Sequence, residues 1–472
     1  RPEGAGALQV LVRLSGDLHP SADARDGLVF TDASGKDLFR YRDLHVWDAC
    51  GQPLDACMEL AANGMLTISV ADADAAYPIT IDPVSQTYNT ILYGPAGSEF
   101  AVSVATAGDL NGDGFSDVVV GAWQANLGQS QEGAAYVYYG SATGIPTTAN
   151  VVLECNQAVA QFGSAVNTAG DVNGDGYSDL MVGARTWEDQ SAESAEGGVF
   201  VYHGGPTGIA TTPNYILQPN HASDNFGAYV GPAGDINNDG YSDVLVSAYL
   251  ADYGGFQEGA VFVYLGSASG LNTTYVHRLE RNQSASHFGH AVSSAGDING
   301  DGYSDVIIGA SKWVHVSGMN DQGAAFIYYG GANALGSSLN PPPDVILFGS
   351  GINSAQFGWT VGCAGDLNGD GYSDVAVGAY GDANGQSNEG TVRVYLGAAA
   401  GLVTAPVAIL ESNQVNAWLG RWLYTAGDVN GDGYADLVVG ATRWSNPQSL
   451  EGGCFVYFGN ASATPVSALS VF

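Results

Sequence analysis

One eleven-residue phrase occurs six times and constrains the fold more than anything else in the chain. It reads Ala-Gly-Asp-x-Asn-(Gly/Asn)-Asp-Gly-(Phe/Tyr)-(Ser/Ala)-Asp, with its first Asp at 109, 171, 235, 297, 366 and 428 and spacings of 62, 64, 62, 69 and 62 residues. A fixed period of this size marks an array of like units that bury their faces against one another.

The neighbours of the phrase repeat too. Upstream stands Phe-Gly (Phe162-Gly163, Phe226-Gly227, Phe288-Gly289, Phe357-Gly358), replaced by Phe100-Ala101 in the first copy and Leu419-Gly420 in the last. Downstream, an apolar strand ends in Gly-Ala, or Ser247-Ala248 in the third copy. A variable loop then closes on Glu-Gly (Glu132, Glu196, Glu258, Glu389, Glu451, with Gln322 once), followed by a Val-Tyr-x-Gly-type strand and a last short apolar run. Four short strands per unit match one propeller blade. No window carries a sustained 3.6-residue apolar period, and a parallel β-solenoid would need shorter repeats. The chain is therefore expected to be all-β, a β-propeller over 85–472 with six repeats visible and six- or seven-bladed closure. Asn89 to Tyr93 resembles the outer strand of the other units and is expected to clasp the ring near Phe455 to Tyr457, unless the tail after Gly459 supplies that strand.

The phrase itself is metal chemistry. Positions 1, 3, 5, 7 and 9 are Asp109, Asn111, Asp113, Phe115 and Asp117 in the first copy, and Asp171, Asn173, Asp175, Tyr177 and Asp179 in the second. The third has Asp235, Asn237, Asp239, Tyr241 and Asp243; the fourth Asp297, Asn299, Asp301, Tyr303 and Asp305. The fifth has Asp366, Asn368, Asp370, Tyr372 and Asp374; the sixth Asp428, Asn430, Asp432, Tyr434 and Asp436. Side-chain oxygens at 1, 3, 5 and 9, a backbone carbonyl at 7 and a turning glycine at 6 suit Ca²⁺, about six ions per chain. No nitrogen or sulfur ligand is present, which speaks against zinc or copper. An EF-hand needs a bidentate Glu at position 12, where this chain is apolar (Val120, Val182). A metal-free set of Asx-turns is the competing reading. It leaves three carboxylates crowded together, and at an effective dielectric near 20 each pair about 4 Å apart costs roughly 4 kcal/mol.

Acidity follows from the same loops. The chain holds 48 acidic and 13 basic residues, a formal charge of -35, and six bound Ca²⁺ would bring it to -23. Such a surface repels nucleic acid and anionic membranes. With 45% hydrophobic residues and no long charge run it is no disordered tail, and no apolar stretch of about 18 residues is available to span a membrane. The chain starts at Arg1 without a signal-peptide pattern, as expected of a processed product. Cys50 and Cys57 flank a Gly-Gln-Pro turn and are either a small disulfide loop or two reduced thiols; the other three cysteines read as core residues.

These residues resemble the FG-GAP repeat of the integrin α-subunit propeller and its bacterial relatives, over roughly 85–460. The resemblance implies Ca²⁺ in each loop, on the blade end opposite the usual ligand face. Two departures stand out. No proline follows Gly-Ala, where Trp123, Arg185, Tyr249, Ser311, Tyr380 and Thr442 stand instead, and six units are visible where integrins have seven. A calcium loop in every unit looks more like a bacterial surface or secreted protein. Residues 1–84 carry strand-like runs and end in Ala-Tyr-Pro-Ile-Thr-Ile-Asp-Pro, resembling a small β-sandwich that precedes such propellers, incomplete at its start.

The expected function is an extracellular adhesion or ligand-binding module for a protein or glycan partner. In this blade layout the loop after Gly-Ala and the loop before Phe-Gly share one face. Trp123, Trp187, Tyr249, Trp313, Tyr380 and Trp444 recur there as ligand-face candidates, or else wedge into the core. Asn156-Gln157, Asn282-Gln283 and Asn413-Gln414 recur in the other loop, as turn-holding residues. Two further classes are weighed. A polysaccharide-acting enzyme needs a cluster of acid, base and charge stabiliser, yet the propeller has few cations, a single flanking pair of histidines (His287, His290) and no Gly-x-Ser-x-Gly. A non-enzymatic chain is expected. A subunit of a surface layer or filament, binding copies of itself, is the other alternative.

Overall fold

The computed structural model describes residues 8–13, 19–22, 28–31, 37–47, 54–60, 65–72, 75, 79–85, 90–189, 195–219, 221, 224–445, 450–461 and 470–471. Backbone packing separates two units, Arg1–Ile91 and Leu92–Phe472.

The first unit contains two antiparallel sheets. One orders Leu8–Arg13, Met65–Val70 and Ala56–Leu60; the other orders His19–Ala22, Leu28–Thr31, Asp37–Trp47 and Thr80–Ser85. Leu28 and Val46 from one sheet and Leu66, Ile68 and Val70 from the other form its core. Cys50 lies outside the described residues, and Cys57 is exposed.

The second unit is six four-stranded antiparallel sheets in series, with no helix among the described residues. The first blade is Ser103–Gly108, Asp117–Ala122, Ala134–Tyr138 and Val151–Leu153, and the second is Phe162–Gly170, Asp179–Ala184, Gly198–Tyr202 and Tyr215–Leu217. Val230–Gly234, Asp243–Ala248, Ala260–Tyr264 and His277–Leu279 make the third; Phe288–Gly296, Asp305–Ala310, Ala324–Tyr328 and Val345–Phe348 the fourth. The fifth is Thr360–Gly365, Asp374–Ala379, Thr391–Tyr395 and Ala408–Glu411. The sixth is Leu419–Gly427, Asp436–Ala441, Gly453–Tyr457 and Ser470–Val471. In the fourth blade every residue of the two middle strands is buried, because both sheet faces meet neighbouring blades. That explains why these strands read as unbroken apolar runs rather than alternating ones. Full burial of each large aliphatic side chain contributes on the order of 1.5–3 kcal/mol.

The recurring dipeptides are the junctions. Phe162 is fully buried, packs edge-to-face on Phe200 at 5.1 Å, and donates its amide to the Glu132 carbonyl of the preceding blade at 2.8 Å. Phe226, Phe288, Phe357 and Leu419 repeat that bond onto Glu196, Glu258, Gln322 and Glu389. Glycine is required where Gly121 meets the next blade, since a Cβ there would lie 2.0 Å from the Gly163 carbonyl oxygen. In the third copy Ser247 meets the corresponding carbonyl differently, donating its hydroxyl to Gly289 at 2.5 Å.

Each inner strand packs on the inner strand of the next blade from first to sixth, but the sixth makes no comparable contact with the first. The two end faces show it. Tyr177, Tyr241, Tyr372 and Tyr434 each pack over a glycine in the loop of the blade before, whereas Phe115 at the same position is 42% exposed. Gly431, the sixth-blade counterpart of those glycines, has nothing near it, and Trp422 and Tyr424 on the inner strand of the same blade are about half exposed (47% and 55%). The expected clasp is corrected accordingly. Thr90 to Tyr93 forms no strand (Asn89 lies outside the described residues), and the outer strand of the sixth blade is the tail, with Val471 opposite Phe455 and Ser470 opposite Val456.

Candidate calcium loops and channel mouth

Every acidic loop sits between the inner strand of its blade and the next strand, directly after a bulge such as that between Thr168 and Gly170. Within the second loop, Asp171 Oδ1 accepts from the amides of Gly174 at 2.7 Å and Asp175 at 3.1 Å, and its Oδ2 accepts from Gly176 at 2.8 Å. Asn173 Nδ2 donates to Asp175 Oδ2 at 3.0 Å. Asp179, fully buried, accepts from Val172 and Gly204, both at 2.9 Å. The same bonds recur in the first, fourth, fifth and sixth loops, around Asp109, Asp297, Asp366 and Asp428. In the third loop Asn238 takes the left-handed position that glycine holds elsewhere.

Among the described residues no three carboxylates converge as a metal-liganded cluster; the loop side chains turn into these hydrogen bonds. The donor set nevertheless fits Ca²⁺. It is all oxygen, and no loop aspartate is ion-paired with a cationic side chain among the described residues. Burial pushes the position-nine carboxyl up, to about 7 in Asp179, Asp243, Asp305 and Asp374, against the lowering effect of its two amide donors; the carboxylates at positions five and one push it further. A divalent cation relieves that crowding. Positions 1, 3, 5 and 9 would hold it through side-chain oxygens, and position 7 through its carbonyl. The rings at position 7 have a second role, the packing across blade junctions described above.

At the other end of the blades lies a different chemistry. A cavity of about 470 Å³ runs between the inner strands of all six blades. Its lining includes Arg185, Tyr229, Tyr249, His290, Trp359 and Arg421, and no aspartate or glutamate. These residues interlock across blades. The Tyr229 hydroxyl donates to His290 Nε2 at 3.3 Å, and His290 Nδ1–H donates to the Trp359 carbonyl at 3.2 Å. Burial holds His290 well below the usual imidazole range, at about 3, and His287 at about 4, so both rings are neutral structural members. Arg421 lies over Trp359, Tyr380 and Trp418 at 5.4, 5.2 and 5.1 Å, and Arg443 over Trp418 at 3.4 Å. Arg185 stacks on Trp123 at 4.2 Å.

The six aromatic candidates divide by blade parity. Trp123, Tyr249 and Tyr380, directly after Gly-Ala or Ser-Ala in the odd blades, stand in this collar. Trp187, Trp313 and Trp444, two residues further on in the even blades, pack against Phe200, Phe326 and Phe455 at 5.6, 5.1 and 5.2 Å and belong to the core. Tyr229, Trp359, Trp418 and Arg421 were not singled out by sequence reasoning. Their shared signal is adjacency to Phe-Gly or Leu-Gly, whose flanking side chains face the channel.

Asn156, Asn282 and Asn413 take the left-handed backbone of their own turns, as expected of turn-holding residues, while the glutamine of each pair reaches across to a neighbouring loop. Gln157 exchanges two bonds with the Glu188 backbone (2.6 and 2.8 Å), Gln283 with Val314 (3.0 and 2.7 Å) and Gln414 with Ser445 (3.1 and 2.8 Å).

Comparison with known proteins agrees with this construction. The FG-GAP repeat model matches at 100–138, 162–200, 227–264, 288–328, 357–395 and 422–462. Integrin alpha-4 of Xenopus laevis is 34% identical over 220 residues, 45% of this chain and 20% of that protein. Integrin alpha-IIb of Homo sapiens is 36% identical over 186 residues, 38% of this chain and 17% of that one. The matches thus span about a fifth of those relatives' length. Six matched repeats, each coinciding with one four-stranded blade, place this chain in the FG-GAP repeat family.

Proposed function

We propose that the chain is an extracellular, calcium-stabilised module of the adhesion or ligand-binding type, taking a protein or glycan partner at the channel mouth. The observation that carries this reading is the chemical difference between the two ends of the blades. One end is given over to six acidic loops that suit a structural cation. The other presents aromatic rings and arginines around a cavity, the kind of surface that anchors a partner. Calcium sites of modest affinity fill outside cells, where the ion is abundant, which supports an extracellular setting. Similarity to integrin α chains supports adhesion as the class of activity.

The module is read as non-catalytic: its channel histidine, His290, is neutral and held by two fixed bonds. Binding to panels of extracellular proteins and of glycans, in Ca²⁺ and in EGTA, tests the proposal. Saturable binding that chelation abolishes is expected; cleavage of an oligosaccharide, or binding indifferent to both calcium and Tyr380→Ala, would overturn it. A structural-subunit reading has one observation in its favour, the exposed Trp422, Tyr424 and Val429 on the sixth blade's end face. Ordered filaments in negative stain would move the assignment there.

A further inference from the structure

We infer that the channel mouth takes a single carboxylate, presented by an acidic side chain of a polypeptide partner, between Arg185 and Arg421. This rests on the ligand-binding reading above and specifies its chemistry. Acidic residues outnumber basic ones 48 to 13, yet the cavity lining holds two arginines and no carboxylate. Two of the seven lysines and arginines of residues 85–472 thus stand where the chain leaves a space.

Those charges are not taken up in ion pairs, though the Glu99 carboxylate, which accepts from Trp123 Nε1 at 2.7 Å, stands near enough to Arg185 to act on it. Among the described residues neither arginine is in an ion pair, and Arg185 is tied only through its Nε, to Gln161 Oε1 at 2.5 Å. Arg421 is surrounded by rings, which hold the guanidinium in place and thin its hydration without cancelling its charge. Arg443 shares the Trp418 ring and adds a second positive group at the rim. The collar is also fixed in advance: His290, bonded to both Tyr229 and Trp359, links the third, fourth and fifth blades. A guanidinium held this way is prepared to receive a carboxylate through two parallel N–H bonds.

Charge selects the source. A polyanionic glycan would be repelled by a chain of net charge -35, or -23 with six Ca²⁺. A polypeptide that places one acidic side chain in the mouth, and neutral or basic residues against the acidic exterior, gains on both counts. The cavity volume accommodates a side chain and its immediate backbone.

The test uses the full calcium-loaded chain and the blocked peptide acetyl-Lys-Gly-Glu-Gly-Lys-amide, its Gln counterpart, and sodium glucuronate, followed by calorimetry and tryptophan fluorescence. The Glu peptide is expected to bind saturably at one site per chain and to weaken with added NaCl. The Gln peptide is expected to bind about tenfold more weakly or worse. Arg421→Gln should reduce Glu-peptide affinity by about tenfold while leaving the circular dichroism unchanged; should that variant misfold, Arg185→Gln and the exposed Arg443→Gln carry the same comparison. Equal binding of the Glu and Gln peptides, no binding of the Glu peptide by folded protein, or tighter binding of glucuronate than of the peptide would overturn the inference. Each of those results leaves the calcium-dependent panel binding intact, so failure here is distinguishable from failure of the broader function.

Discussion

The amide of Ser178 donates to the carbonyl of Asp109 at 2.9 Å, tying position eight of one acidic loop to position one of the loop in the preceding blade. Ser242 to Asp171, Ser304 to Asp235, Ser373 to Asp297 and Ala435 to Asp366 repeat the bond at 2.9–3.0 Å. The loops are therefore coupled in series, and whatever orders one loop also braces the junction behind it.

Removal of calcium should be felt by the whole propeller. Addition of EGTA is expected to lower the melting temperature, with recovery on adding Ca²⁺ back, because an ion bound at 100 times its Kd stabilises the folded state by about 2.7 kcal/mol per site. Asp301→Ala should reduce bound calcium by one ion per chain in metal analysis and speed amide exchange first at Ser304 and Ser373. An unchanged melting curve under EGTA would contradict the calcium assignment.

Glu389, at the Glu-Gly position of the fifth blade, has one satisfied and one idle oxygen. Glu389 Oε1 accepts from Asn384 and Gln386 at 2.7 and 2.9 Å, while its buried Oε2 has no partner. Gln322, in the same position one blade earlier, accepts through Oε1 from His315 and Val316 and donates Nε2–H to the Gly351 carbonyl at 2.8 Å. Glu389→Gln should therefore leave stability unchanged or raise it, whereas Glu389→Ala should lose about 1–3 kcal/mol by stranding the loop amides. Urea denaturation of both variants decides it.

His290 predicts an acid-sensitive fold. Its folded pKa of about 3 lies below the ordinary value near 6.5, so between those limits the unfolded chain binds more protons. Stability should fall as pH drops below about 6.5, by roughly 1.4 kcal/mol per pH unit for this site. The ring faces Lys312 and Arg421, whose charges add to the penalty, the neighbouring His287, and the Tyr229, Tyr249 and Trp359 rings. His290→Asn, measured at the same calcium concentration as the wild type, should show a shallower slope between pH 6 and 4. An identical slope would remove His290 as a contributor.

Gln283→Ala deletes both bonds to Val314 and should destabilise the protein by about 1–2 kcal/mol. The Val314 amide, which donates to Gln283 Oε1, should exchange faster, while the Asp-loop amides on the opposite end keep their rates.

Much of this was legible in the chain because the repeat reports backbone geometry. Phe-Gly, Gly-Ala and the acidic phrase each mark a contact that only certain residues can make, so counting them gave blades, strands and loops. Side-chain direction was less legible. Trp123 and Trp187 differ by two places after Gly-Ala, and that offset sends one into the channel collar and the other under its own blade. The collar draws Arg421, Trp359 and Tyr229 from three blades, and no local pattern announces such a meeting. The missing clasp has the same origin: Asn89 to Tyr93 has strand-like composition, but pairing depends on which partner lies within reach.

The glutamine bridges, present after the first, third and fifth blades, mean that the propeller is better counted in doublets than in single blades. After the second and fourth blades a buried aspartate makes the link instead, Asp224 of the connector with Tyr253 of the loop in one case and Asp382 of the loop with Ser350 of the connector in the other. A graft, deletion or shuffle that moves a whole doublet keeps every connector opposite the loop chemistry it fits. Moving one blade alone would set a glutamine amide against a loop built for a carboxylate–hydroxyl pair.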